Sequence, residues 1–408
     1  MQMLRLFGRG YLKNRKIQSS SLSYALFTII IIGIILSVVI LLVSANNNVF
    51  TKRDVSTSLV DKELSVLEYA KNNLERLEVE FQELELEGAG EVWLRKRKWG
   101  ILNLLEYKVI FRKDTFKKAF FIESISSDST AITLLKNDKG FFLGGDSKIE
   151  GDIRVPFKEI NRLDVAGYVN KFIHKGVKKE AVEKLPDIKK ESIPREVVYI
   201  SESQMKKEKK NSFFKKTKKV SLELESVEGL TLLGNYVLES KKGITIKSNN
   251  ILEDIIVKSP VVRVEKGFRG AIQILASDRI IIEENVLLEY PSILYAYGES
   301  GEVNIEIKKN SKILGGVLAS SNNSDKVNNI SASDNTTIAG ELFCSGEVEL
   351  KGNVYGSVYA HSFYLRTEES EYQNALLNFQ LNKLPYFFQK INIINVSGTR
   401  CQIVKKIE

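Results

Sequence analysis

Histidine and cysteine are scarce in this chain of 408 residues, which carries only His174 and His361, Cys344 and Cys401. A zinc site needs several clustered thiols or imidazoles. Four such residues spread from position 174 to position 401 do not supply that spacing, so no metal and no other cofactor is expected. The cysteines leave two readings open, a disulfide in an exported body or two separately buried thiols. No charged residue occurs from Ile17 to Thr51, and no acidic residue precedes that stretch. The polar stretch Ser320 to Thr337 lacks the Asp-x-Asp-x-Asp-Gly spacing of a calcium loop and reads as a surface loop. With 43% hydrophobic and 27% charged residues, the composition excludes wholesale disorder. The net charge of +9 is local, arising in the first segment and in a lysine run near Lys206.

What is present is organised around Ile313 to Val358. Ile313-Leu314-Gly315-Gly316-Val317, Ile338-Ala339-Gly340-Glu341-Leu342 and Val354-Tyr355-Gly356-Ser357-Val358 share one pattern, apolar, any, glycine, any, apolar. Strand alternation points the apolar residues and the glycine toward one interior, with the glycine leaving room there. Such repeats suit a parallel β-helix, whose coils bury their apolar faces only by stacking. An earlier copy, Ile149-Glu150-Gly151-Asp152-Ile153, suggests that the coils begin before residue 150. Gly151, Gly315, Gly340 and Gly356 are therefore structural glycines, and no phosphate-binding or catalytic role is read into them. Short β-branched runs from Leu222 onward, unevenly spaced, favour the β-helix over the alternative of a β-sandwich.

Ala25 to Val43 is almost purely apolar, long enough to cross a bilayer core of about 30 Å. Arg5, Arg9, Lys13, Arg15 and Lys16 precede it, so the positive-inside rule keeps the N-terminus cytoplasmic and exports the rest. The run is too long for a signal-peptide core, which favours a retained anchor. The expected layout is mainly β, with a cytoplasmic basic segment (1–16), a transmembrane helix (17–45), and a short exported helix or stalk (46–76). A β-rich domain (77–140) follows, then a first coil with a lysine-rich insertion (141–220), the parallel β-helix (221–370) and a C-terminal cap (371–408) containing a helix-like segment. Asn46-Asn47-Asn48 is read as the break between the helices, with a capping box starting at Ser58.

Three surface features invite ligands. Lys206, Lys207, Lys209, Lys210, Lys215, Lys216, Lys218 and Lys219 surround Phe213-Phe214, the footprint of an anionic-surface or nucleic-acid binder. A solvated lysine loop is the plainer reading, and nucleic acid is not expected as a partner. Tyr355 and Tyr359 are expected to share an outward face, as are Tyr295 and Tyr297, which would suit stacking on a polysaccharide. Glu283-Glu284 is the best acidic pair, but adjacent strand residues face opposite ways and cannot flank one glycosidic bond.

The order of basic segment Arg5 to Lys16, apolar run Ala25 to Val43, helix and sheet resembles minor pilins and pseudopilins of type IV pilus and type II secretion systems. The likeness covers roughly the first hundred residues and lacks the leader motif, since Gly8 and Gly10 lie early and the apolar run has no Glu. The glycine-bearing coil pattern is similar to that of bactofilins, polymer-forming β-helix scaffolds. Together these imply a membrane-anchored bacterial β-helix protein of the inner membrane with a periplasmic body. Its role would be a non-catalytic component of an envelope assembly with protein partners. A surface protein binding or acting on polysaccharide is the alternative.

Overall fold

The computed structural model describes residues 15–86, 90–111, 114–125, 130–194, 196–223, 225–323, 327–395 and 400–408. The basic segment before Arg15 and residues 324–326 of the polar loop lie outside them. The chain forms two units, Met1–Ser65 and Val66–Glu408.

In the first unit the described residues belong to the helix Arg15–Asn73, and its span Ser21–Asn47 is 27 residues of apolar sequence exposed throughout. The expected break does not occur, because Asn46-Asn47-Asn48 and Ser58 lie inside this one helix. Each asparagine costs a helix less than about 1 kcal/mol, whereas stopping and restarting would require a second unfavourable nucleation. Ser58 therefore does not begin a helix.

The second unit is mainly β. Gln82–Leu84, Glu91–Trp99, Leu102–Phe111, Asp114–Ser124 and Cys401–Lys406 form a five-stranded antiparallel sheet in that order. The last turn of the helix and the 3-10 turn Leu74–Arg76 after it are tied to this sheet: the Lys96 ammonium donates to the Leu74 carbonyl, and the Cys401 thiol to the Ala70 carbonyl at 3.5 Å.

The remaining strands, apart from the antiparallel Glu371–Gln373, form the parallel β-helix. Its interior is built from in-register ladders of β-branched and leucine side chains, such as Ile280, Ile305, Ile330, Val348 and Phe363. All five are at most 1% exposed. The coil rises by one strand spacing, about 4.8 Å, so each side chain rests on its counterpart in the next coil.

The coils do not stack in sequence order. One ladder runs Leu288, Ile313, Ile338, Val354, Leu381, Ile149, and another runs Leu294, Val317, Leu342, Val358, Ile132, Ile153. Thr130–Leu134 thus stacks directly on the C-terminal coil Asn353–Arg366 and is completed by Gln380–Asn382. The coil bearing Gly151 lies beyond it, and Ile160–Leu163, Ile173–Lys175 and Lys178–Glu180 form the last coil at that end. Segment 197–221 starts the opposite end. The expectation of an early coil therefore holds for its type and fails for its place: 155–220 is two pieces of opposite ends joined by a strap.

The C-terminal segment is likewise not a separate helix-like cap. Glu371–Gln373 folds back antiparallel on the end of Asn353–Arg366, Ala375–Leu377 and Gln380–Asn382 are strands that continue the stack, and Cys401–Lys406 joins the antiparallel sheet. The apolar residues Leu376 and Leu381 are buried because they face the coil interior, which is what a strand at this position supplies.

The glycines sit at a corner. Gly315, Gly340 and Gly356 are stacked in register, with φ of 154°, 147° and 130°. A Cβ on Gly340 would lie 1.6 Å from the Gly315 carbonyl oxygen. Their role is a tight bend under the carbonyl of the coil below, rather than space for an interior side chain.

Candidate functional site

One face of the β-helix turns apolar side chains outward. Ile256, Leu275, Ile293, Tyr295, Leu318, Phe343 and Tyr359 leave the interior ladder and form a second core. The cover over them comes from three places: Trp99, Ile101 and Phe121 of the antiparallel sheet, the strap near Ile188, and Ile391 and Ile393. Trp99 Nε1 donates to the Asp254 carbonyl at 2.9 Å. Gln273 accepts from the Ile101 amide at 3.0 Å and donates to the Trp99 carbonyl at 2.9 Å, so one side chain satisfies the hairpin backbone.

Buried charges pin this cover. Glu341, fully buried on strand Thr337–Leu350, accepts from the Ile393 amide at 2.8 Å and pairs with Lys390 at 2.7 Å. Glu106, also fully buried, holds both Arg95 and Arg97, and Arg97 donates onward to the Phe213 carbonyl. Glu123 pairs with Lys189 of the strap. Lys405 bridges Glu253 and Asp254 at 2.7 and 2.8 Å. Burial pushes the Glu123 carboxyl up, with Lys189 pulling it back, and burial pushes the nearby Lys98 ammonium down. Breaking such a pair leaves an uncompensated buried charge, at a cost of about 3–5 kcal/mol.

This cover decides the fate of the tyrosines. Tyr295 and Tyr359 are each 2% exposed, inside the second core, and cannot stack on a polysaccharide. Tyr355 and Tyr297 stay half-buried. Tyr355 and Tyr359 do not share an outward face, because the Gly356 corner between them breaks the alternation. The Tyr295 and Tyr297 rings do stack, at 5.9 Å, yet the Tyr295 hydroxyl donates to the Lys189 carbonyl.

The lysine run is also divided by its fold. Phe213 is buried against Trp99 at 5.2 Å and Phe121 at 5.8 Å, so it is core rather than a stacking platform. Lys218 and Lys219 are half-buried and paired with Glu208 and Glu239. Lys206, Lys207, Lys209, Lys210, Lys215 and Lys216 remain exposed at the end of the stack that begins with Val197–Tyr199. The opposite end is similar: Ile173–Lys175 and Lys178–Glu180 pair on one side only among the described residues. Lys171, Lys175, Lys178 and Lys179 are exposed there beside Val169 and Val177. Lysine on an open edge blocks strand addition, so stacking copies end to end would set lysine against lysine.

The other expectations settle simply. Glu283 pairs with Arg263 and Lys308 while Glu284 pairs with Lys266, on separate faces. Cys344 and Cys401 are free and buried, one in the coil interior and one on the antiparallel sheet. His174 Nε2 contacts the Gly151 carbonyl at 3.0 Å. Gly176 is a corner residue that pattern reading missed, its ideal Cβ lying 2.1 Å from the Gly151 oxygen. A concave surface of about 720 Å³ lies at the rim between Tyr168, Arg366, Glu369 and Tyr372. Among the described residues no group of three His, Cys, Asp or Glu could hold a metal ion.

No protein-family model and no curated protein matches the chain. Among solved structures, the competence-associated pilin ComZ from Thermus thermophilus aligns over 81% of this chain and 86% of its own, at 8% identity and a TM-score of 0.23. A likeness at that level carries no argument about fold or function.

Proposed function

We propose that this chain is a membrane-anchored structural component of a bacterial cell-envelope assembly, of the type IV pilus or type II secretion kind, with a cytoplasmic N-terminus and a periplasmic body. The observation that carries the reading is the span Ser21–Asn47, a 27-residue, predominantly apolar stretch exposed throughout and long enough to cross a bilayer. The basic residues before it support the orientation. A structural rather than catalytic role is supported by the use made of the buried charges, since Glu341 holds the cover onto the β-helix while Glu106 and Glu123 tie the segments of the cover to one another. The pinned body supplies a rigid platform, and its lysine-blunted ends suit acidic protein partners better than further copies of itself.

Protease added to intact spheroplasts tests the orientation. Digestion of the body, with the membrane intact, is the expected result. A body cut only after lysis would sink the reading. Crosslinking in intact cells should then join the body to other envelope proteins.

A further inference from the structure

Tyr386 and Phe387 are 96% and 70% exposed, ahead of Tyr199, Phe157 and Tyr168 at 65%, 59% and 50%. Their rings meet edge to face at 5.5 Å on a turn closed by the Phe388 amide donating to the Pro385 carbonyl at 2.9 Å. The turn is held from below. Phe388 packs edge-on against Tyr290 at 4.7 Å, and the Tyr290 hydroxyl donates to the Gln389 carbonyl at 2.9 Å. The two rings are therefore presented outward on an anchored support. From Tyr372 to Ile407 the sequence contains no aspartate or glutamate, and Lys383 lies exposed just before the turn.

We propose that the Tyr386–Phe387 turn inserts shallowly into a lipid surface. A convex tip with one amphipathic and one apolar ring suits the headgroup boundary, where aromatic side chains collect. A protein partner would instead need a groove shaped to the tip. No carboxylate on the segment repels anionic headgroups, and Lys383 attracts them. The inference rests in part on the reading of the chain as membrane-anchored.

The full chain in phosphatidylcholine–phosphatidylglycerol nanodiscs provides the test, with an environment-sensitive fluorophore on Phe387→Cys or, separately, on Ser37→Cys in the apolar span. Cys344 and Cys401 are buried, which directs labelling to the introduced thiol. Nitroxide-bearing lipid should quench the Phe387→Cys label at least about twofold, and aqueous iodide should quench it little. A label quenched by iodide and not by nitroxide lipid overturns the proposal, as does a label shielded from both, which would mean a protein occupant. The Ser37→Cys label separates the two readings. If it is quenched by nitroxide lipid and the Phe387→Cys label is not, only the turn inference fails; if it is unquenched, membrane anchorage itself fails.

Discussion

The covered and the bare faces of the β-helix are made by the same coils, yet they use charge in opposite ways. On the covered face Glu341 is fully buried and its partners lie in the segment above it, Lys390 and the Ile393 and Ile394 amides. On the bare surface Lys136 and Glu183 meet at 2.7 Å with 52% and 80% of their side chains exposed. The first pair has lost its water and depends on its partner, whereas the second has water as a ready substitute. The difference lies in what sits above the strand and not in the strand itself.

The sharpest way to break the comparison is at the corner both faces share. Gly340→Ala would set a methyl 1.6 Å from the Gly315 oxygen, at a φ of 147°. We expect loss of the folded body, read as rapid limited proteolysis. Gly229→Ala, with nothing within 4 Å, should leave the protease pattern unchanged and lower stability by only about 1–2 kcal/mol. Next is the charge itself. Glu341→Ala should lower the unfolding free energy by about 3–5 kcal/mol in urea, and Lys136→Ala should leave it nearly unchanged. Equal effects would mean that the cover does not exclude water.

The tyrosines give a third contrast. Tyr295→Ala should cost about 3 kcal/mol, as truncation of a large buried aromatic does, and Tyr355→Ala about 0.5 kcal/mol or less. The smallest effect is on pH dependence. Burial raises the Glu123 carboxyl above its ordinary value. A carboxyl that holds its proton more tightly folded than unfolded makes a contribution that falls as pH rises from its unfolded value, about 4.3, to its raised folded value. As pH rises above the unfolded value, the urea midpoint of the parent chain should therefore drop more steeply than that of Glu123→Gln. Parallel curves would remove Glu123 from the explanation.

Much of the coil was legible beforehand. The pattern around Gly315, Gly340 and Gly356 marks stacked strands, because apolar residues flanking a glycine at fixed spacing are a local property. The copy at Gly151 is also a true coil. A period of 25 residues, visible in Asn285, Asn310 and Asn335, each with a left-handed backbone at a corner, was a further signal that pattern reading passed over. The glycine corner was misread as interior space, since alternation fails where a strand bends. The two buried tyrosines were misread for another reason: an outward residue looks the same in sequence whether solvent or another segment lies above it.

Sequence alone therefore determined the apolar span, the β-helical coil and the scarcity of metal-ligating residues, since each rests on neighbours in the chain or on composition. Tertiary structure decided which coil touches which and what covers them. Val358 rests on Ile132, and Glu341 finds Ile393 and Lys390, through pairings between residues far apart in the chain. No local periodicity encodes those partners, because burial of a strand's outer face depends on the return path of segments 181–196 and 383–395.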